Sequence, residues 1–243
     1  MRLIFIRHGD PDYTIDSLTE RGLYEAKLLG ERAKEWKGDV ERIYVSPLGR
    51  AGKTAEPVER ALGQQAQVLD WLQEFRAVID KKYGTTGIAW DFAPSYWTKV
   101  PELYDKDRWT IAEPMQSVEG KPGVDQVYRE TCEGLDKLLG EYGCVRDGQF
   151  YRVTDRERSG KTIVLVCHMG ITFVMLSHLL GIPFVPLMQG FYIPPTGVTV
   201  VNSEEVEEGI LSFRCQGVGD VRHLYRNGQD ISPRGYFGEI YQK

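Results

Sequence analysis

Four short apolar runs constrain the fold of this chain more than any other feature of its sequence. They are RLIFI (2–6), RIYVS (42–46), AQVLDWL (66–72) and TIVLVC (162–167). Runs of this length that are rich in β-branched residues are typical of strands buried on both faces, as in parallel sheets. They are far too short to span a membrane.

Helical patterns separate these runs along the chain, at residues 18–36, 49–62, 124–143 and 171–181. The first contains Thr19, a good N-cap, and an apolar stripe with the 3.6-residue period of a helix. The members of that stripe are Leu23, Ala26, Leu29, Ala33 and Trp36. Strands that alternate with helices predict an α/β fold, a three-layer sandwich around a mostly parallel central sheet.

Two regions interrupt this rhythm. Residues 75–123 are rich in Trp, Tyr and Pro without a clear period, and residues 144–160 are polar and typical of a surface hairpin or loop. Two further strand candidates follow at 197–203 and 210–217. We expect residues 1–243 to form one domain with an aromatic-rich insertion at about 75–123. Its aromatic residues can form a small satellite core, roof a pocket as a lid, or do both. They include Trp90, Phe92, Tyr96, Trp97, Tyr104 and Trp109.

The composition excludes some classes of protein. Of the 243 residues, 42% are hydrophobic, which is enough for a full core. The net charge is −5 with both signs interspersed, which argues against a general binder of nucleic acid or anionic membranes. The opening apolar run is too short for a signal peptide. The four cysteines show no CxxC spacing and no metal-like grouping, so we expect free thiols in a cytoplasmic protein.

Chemically reactive side chains follow the strand candidates, at the ends where ligands bind in α/β sheets. They are Arg7, His8 and Gly9 after the first strand, Ser46 and Arg50 after the second, Glu74 after the third, and His168, Met169 and Gly170 after the fourth. The chain has only four histidines, so composition does not force two of them to this edge.

This set of side chains suits phosphoryl transfer. Arginines bind phosphate oxygens in a bidentate manner. A neutral histidine is a nucleophile, and a second, protonated histidine can neutralise the equatorial oxygens. A carboxylic acid can protonate the leaving oxygen. The glycines Gly9 and Gly170 would let backbone amides approach an anion closely.

Arg7-His8-Gly9 after a first strand resembles the signature of the histidine phosphatase superfamily, which includes the phosphoglycerate mutases. Three further blocks resemble that family in the same order. They are DSLTERGLYEAK (16–27), with Glu25 where Gln is usual, SPLGRAGKTAEP (46–57) and VCHMG (166–170).

The resemblance implies a phosphoglycerate mutase-like fold and a phosphohistidine at His8. It implies a phosphate pocket of Arg7, Arg50 and His168, to which we add Gly9 and Met169, and a proton donor at Glu74. It implies neither a metal nor an organic cofactor. We therefore expect a phosphatase that hydrolyses a small phosphorylated metabolite and also binds inorganic phosphate or sulfate.

Several alternatives remain open on the sequence. A second alignment, of DKKYGTTGI (80–88), gives the donor role to Asp80 instead of Glu74. The Ser/Thr and Asn that the mutases place soon after Arg-His-Gly are absent, which favours a phosphatase over a mutase. A non-catalytic phosphate-binding module is a third alternative. The sequence does not identify the substrate or the oligomeric state.

Three other features have structural interpretations. SGKT (159–162) precedes a strand and has Asp155 where a P-loop needs its first glycine, so we reject a nucleotide site. We expect His178 to be a packed or surface residue. His223 lies in a segment, GVGDVRHL (217–224), that resembles a family segment supporting the site, and we expect it to be structural.

Overall fold

A computed structural model of the chain describes residues 1–84, 87, 89, 92–116, 118 and 120–235. Its strands are β1 (Arg2–Arg7), β2 (Pro11–Asp12), β3 (Ser17–Leu18), β4 (Val40–Val45), β5 (Gln67–Val68), β6 (Cys144–Asp147), β7 (Phe150–Val153), β8 (Thr162–Cys167), β9 (Val198–Glu207) and β10 (Ile210–Asp220). Its α-helices are α1 (Glu20–Ala33), α2 (Gly49–Leu62), α3 (Pro94–Trp97), α4 (Val124–Glu141), α5 (Arg156–Ser159), α6 (Met169–Leu180), α7 (Phe184–Gly190) and α8 (Arg222–Tyr225). Short 3-10 turns lie at Lys34–Trp36, Asp70–Leu72, Lys81–Tyr83, Pro101–Tyr104, Trp109–Ile111 and Glu113–Met115.

The central sheet has eight strands in the order β5-β4-β8-β1-β9-β10-β7-β6. The first four are mutually parallel, and they include the four apolar runs of the sequence. From β1 onward the sheet continues antiparallel through β9 and β10 to a β6–β7 hairpin at the other edge. The predicted surface hairpin at 144–160 therefore forms, and it extends the main sheet.

Two helical layers cover the parallel half of the sheet. Alternate residues of β1 and β8 point to opposite faces, as the pleat requires. Ile4, Ile6 and Val164 pack under α1 and α2, whereas Leu3 and Phe5 pack against the layer that contains α4, α6 and α7. This arrangement confirms the predicted α/β sandwich.

Thr19 caps α1 as predicted, since its side chain accepts the Gly22 N–H at 3.1 Å. The predicted stripe of this helix was wrong at Leu23, which is 49% exposed, whereas Leu28 is buried. The helix contacts α2 on one side and α8 on another, so its buried arc is wider than one regular stripe and turned away from Leu23.

The run at 66–72 was predicted as one strand and forms only the two residues of β5, followed by a 3-10 turn. Gln67 and Val68 lie exposed at the sheet edge, whereas Leu72 in the turn is fully buried. The apolar content of this run therefore reflects a packed turn more than a long strand. That turn places Glu74 next to α6.

The described residues of the segment 75–123 pack on the α4–α6–α7 side as part of the main core. Trp109 stacks on Phe184 of α7 at 5.9 Å between ring centroids and meets Tyr128 of α4 edge-on at 4.6 Å. Phe92 and Trp109 are buried, whereas Tyr104 is 47% exposed. Of the predicted aromatic set, Trp90 lies outside the described residues.

Candidate active site

The register of two parallel strands places both candidate histidines together. Arg7 at the end of β1 is paired with Cys167 at the end of β8, so the next residue of each strand is a histidine. The rings of His8 and His168 lie 5.1 Å apart between centroids and are inclined by 60°. Both side chains are almost completely buried.

One hydrogen bond fixes the ring of His8. Its Nδ1 lies 2.7 Å from the Gly9 carbonyl oxygen, which can only accept, so Nδ1 carries the proton and Nε2 the lone pair. Burial lowers the pKa of His8 to about 3, with Arg7 and Arg50 acting in the same direction and the Gly9 bond opposing them. The imidazole is therefore neutral at physiological pH, the form in which a histidine attacks phosphorus.

Two arginines border these histidines. Arg7 donates to the Ile193 carbonyl through Nη1 and to the Arg234 carbonyl through Nη2 at 3.0 Å. Arg50 donates to Asp16 at 2.6 Å. In both guanidinium groups Nε is buried without a hydrogen-bond partner. Buried N–H groups nearly always have an acceptor, so these two donors are still able to take one.

The second histidine is held from the end of β4. His168 Nε2 lies 2.8 Å from Ser46 Oγ, and its Nδ1 is buried without a partner. Burial lowers the pKa of His168 well below its usual range, and the nearby His8, Arg50 and Arg7 act in the same direction. A phosphate anion between the rings would offset this effect, because a negative charge favours the imidazolium.

Glu74, one of the two candidate proton donors, lies beside the start of α6. Its Oε1 accepts the N–H of Phe75 at 2.8 Å and that of Ile171 at 3.3 Å. Burial raises the pKa of Glu74, although these bonds and the charges of Arg7 and Arg50 oppose the shift. A raised pKa keeps the carboxyl protonated at higher pH, which a general acid requires.

Asp80, the other candidate, has local contacts of a different kind. Its carboxylate caps the 3-10 turn Lys81–Tyr83 by accepting the Lys82 N–H at 3.0 Å. It also lies 3.8 Å from the Lys82 ammonium. These contacts are those of an N-cap residue in a surface turn.

The predicted phosphate contacts of Gly9 and Met169 have other partners in this structure. The Gly9 N–H donates to Thr54 Oγ1 at 2.9 Å, and a Cβ on Gly9 would lie 2.8 Å from the Gly22 carbonyl oxygen. Gly9 is therefore required for close packing against α1, and its N–H is already used. Met169 accepts Arg7 Nη1 at its sulfur, at 3.8 Å.

Supporting residues that sequence reasoning missed reach the site from distant parts of the chain. Ser232 donates to Asp10, and the Arg234 carbonyl accepts Arg7. Thr54 lies between Gly9 and the Arg50 carbonyl, to which it donates at 2.8 Å. Apart from the bond between Thr54 and Arg50 within α2, these contacts join segments far apart in the chain and so have no local sequence signal.

His223 and His178 occupy structural positions. His223 is buried, and its Nε2 lies 3.0 Å from the Thr196 hydroxyl, while the Thr196 N–H donates to the His8 carbonyl at 3.1 Å. His178 pairs with Asp136 at 2.9 Å, near the opposite end of α6 from His168.

Among the described residues, no group of three or more His, Cys, Asp or Glu side chains could hold a metal ion. No described helix combines the length and apolar character needed to cross a membrane. All four cysteines are free thiols.

A comparison with protein-family models matches residues 3–111 to the histidine phosphatase superfamily, branch 1. A curated relative, the 2,3-bisphosphoglycerate-dependent phosphoglycerate mutase of Bartonella tribocorum, is 29% identical over 122 residues. That match covers 46% of this chain and 58% of the relative.

Solved structures show the same fold over most of the chain. The complex of mycobacterial glucosyl-3-phosphoglycerate phosphatase with inorganic phosphate has a TM-score of 0.60 at 18% identity and covers 91% of this chain and 98% of its own. The complex of a phosphoserine phosphatase mutant from Entamoeba histolytica with phosphoserine has a TM-score of 0.58 at 20% identity and covers 92% and 98%. Superfamily members of this kind are phosphatases or mutases. With the family match over residues 3–111, the shared fold and the Arg-His-Gly strand end beside a second histidine, this chain is similar to the histidine phosphatase superfamily.

Proposed function

We propose that this protein hydrolyses a small phosphorylated metabolite through a phosphohistidine at His8. The observation that supports it best is the state of His8: a neutral ring whose Nδ1 is held by the Gly9 carbonyl, with Nε2 as the nucleophilic atom. His8 Nε2 attacks phosphorus, and the P–O bond to the leaving group breaks. Water then attacks the phosphohistidine, which releases phosphate and restores the lone pair of Nε2.

The surrounding residues supply the charge and the protons. Arg7 and Arg50, each with an unpartnered Nε, neutralise the phosphoryl oxygens together with a protonated His168. Glu74 gives its proton to the leaving oxygen and later takes one from the attacking water. These side chains supply a nucleophile, a general acid and positive charge for the phosphoryl oxygens. We therefore propose that the reaction needs no metal or organic cofactor.

We infer two further properties of the whole chain. Residues 1–243 form one domain in which the insertion at 75–123 roofs the site, supported by its start directly after Glu74 and its packing into the main core. A cytoplasmic location is supported by the four free thiols.

A phosphomutase is the second candidate, because the matched curated relative is a mutase. A mutase would return the phosphoryl group from His8 to the substrate instead of to water, and it would need a bisphosphorylated primer. The absence of the mutase-type Ser/Thr and Asn after Gly9 favours hydrolysis.

The first test is phosphate release from a panel of phosphomonoesters with EDTA present, comparing the wild type with His8→Ala. We expect release to fall by roughly 10⁴-fold or more, as when a covalent nucleophile is removed from other enzymes. His178→Gln is the matched control, since this histidine lies on α6 and pairs with Asp136 away from the strand ends.

Three results would contradict the proposal. Turnover that persists in His8→Ala would exclude the phosphohistidine, and turnover that EDTA abolishes would exclude cofactor independence. The protein would be a mutase if the wild type moved a labelled phosphoryl group between positions of phosphoglycerate. That transfer would need priming and would release no phosphate.

A further inference from the structure

One carboxylate outside the predicted site contacts it directly. Asp16 lies in the turn between β2 and β3 and accepts hydrogen bonds with both oxygens. Its Oδ1 accepts Arg50 Nη1 at 2.6 Å, and its Oδ2 accepts the Gly49 N–H at 2.7 Å. One side chain therefore joins this turn to both the first turn of α2 and a proposed phosphate-binding guanidinium.

The backbone conformation at Asp16 and Gly49 allows this contact. Asp16 has a φ of 46°, in the left-handed region that non-glycine residues seldom occupy. A Cβ on Gly49 would lie 2.2 Å from the Asp16 carbonyl oxygen, so the loop and α2 approach as closely as a glycine allows. Leu48 at the N-cap of α2 offers no side-chain acceptor, and Asp16 supplies one from another loop.

The contact restrains one edge of Arg50 and leaves another for a ligand. Asp16 holds Nη1, the Tyr13 ring lies 5.5 Å from the guanidinium carbon, and Nε is buried without a partner. A guanidinium held in this way has lost most of its rotamer freedom before any ligand arrives.

We propose that Asp16 is a positioning residue that holds Arg50 in the orientation that binds the phosphoryl group. This inference rests on the proposed function. Because Arg50 would contact the phosphoryl group in the substrate and in the transition state alike, loss of its orientation weakens both by similar amounts. The effect then appears in KM and in phosphate binding, with little change in kcat.

The test is Asp16→Asn, which keeps an acceptor for the Gly49 N–H but removes the charge that holds Arg50. We expect KM and the Kd of inorganic phosphate to rise together by about tenfold, the loss expected when one bidentate phosphate contact is disordered. Calorimetry gives the Kd, and phosphate release gives KM and kcat.

The matched control is Asp12→Asn. Asp12 ends β2, just before this turn, and is partly buried like Asp16, but among the described residues its carboxylate bonds locally, to the N–H and hydroxyl of Thr14. Both variants remove one negative charge. An equal effect in the two would mean that net charge acts, and it would overturn the positioning role.

A double-mutant cycle keeps the test valid if the single variant is less stable. In an Arg50→Ala background, Asp16→Asn should leave the phosphate Kd unchanged, because there is no guanidinium left to orient. An additive effect would overturn the proposal.

The remaining outcomes are equally decisive. A lower Kd in Asp16→Asn would mean that Asp16 competes with phosphate for Arg50, and an unchanged Kd would mean that it has no role in binding. If the wild type hydrolyses esters and Asp16→Asn has the same KM and Kd, this inference alone is refuted. Wild-type protein that neither binds phosphate nor releases it refutes the proposed function as well.

Discussion

Among single residues, the proton donor is where the sequence favoured Glu74 over Asp80, and the two carboxyl groups have distinct environments in the structure. Glu74 accepts the backbone N–H groups of Phe75 and Ile171, and burial raises its pKa. Asp80 is occupied as an N-cap and lies beside the Lys82 ammonium. A partly buried carboxyl whose pKa is raised by burial is suited to hold a proton and to release it to a leaving oxygen.

We therefore expect Glu74→Gln to lower kcat for alkyl phosphate esters by about 10²- to 10⁴-fold, since the amide cannot donate that proton. The loss should be small for p-nitrophenyl phosphate, whose leaving group needs no proton. Asp80→Asn should stay within about twofold of the wild type, as expected for a residue outside proton transfer.

The pH dependence of kcat/KM distinguishes Glu74 from Asp80 as the proton donor. The acid form of Glu74 is the active one, so kcat/KM should fall as pH rises through its raised pKa. Glu74→Gln should lose that limb of the profile, and an Asp80 variant should keep it. The reverse pattern would transfer the donor role to Asp80.

At the level of secondary structure elements, the packing of the first turn of α2 determines the position of Arg50. Two glycines of this helix differ sharply in surroundings. A Cβ on Gly49 would meet the Asp16 carbonyl oxygen at 2.2 Å, whereas a Cβ on Gly52 would meet nothing within 4 Å. The first glycine is required by packing and the second is not.

Gly49→Ala should therefore destabilise the protein by about 2 kcal/mol or more, because backbone must move to admit the methyl group. It should also weaken phosphate binding, since the displaced turn carries Arg50. Gly52→Ala should stabilise by about 0.5–1 kcal/mol through helix propensity alone. Urea denaturation and phosphate calorimetry measure both effects, and equal behaviour of the two variants would refute the packing argument.

For the whole molecule, the aromatic segment 75–123 shares the core of the sheet. Trp109 is 3% exposed and packs on α4 and α7, whereas Tyr104 is 47% exposed. If the segment formed a separate satellite core, removing the Trp109 side chain would destabilise only the segment. In a shared core, removing it lowers the stability of the sheet as well.

We expect Trp109→Ala to lower the free energy of unfolding by about 3–5 kcal/mol, the range for a large buried aromatic side chain. Tyr104→Ala should cost less than about 1 kcal/mol because its ring is half exposed. Urea denaturation followed by far-ultraviolet circular dichroism reports on the sheet. A normal midpoint for Trp109→Ala would show that the segment unfolds independently.

What the sequence determined by itself is the parallel half of the sheet and the pair of histidines at its edge. Three of the four apolar runs form buried strands, and a parallel register brings the residues after β1 and β8 side by side. For that reason Arg7, His8 and His168 could be placed together without coordinates. The positions of the helices between the strands also followed from local periodicity, although the predicted stripe of α1 was wrong at Leu23.

Tertiary structure alone decided what surrounds those residues. The bond from the Ile171 N–H to Glu74, the bond from Arg50 to Asp16 and the capture of the Gly9 N–H by Thr54 each join segments that are distant in sequence. The same holds for the packing of Trp109 and for the buried arc of α1 that leaves Leu23 exposed. Periodicity and motif spacing describe neighbours along the chain, whereas these contacts depend on how far the elements approach each other once the core is packed.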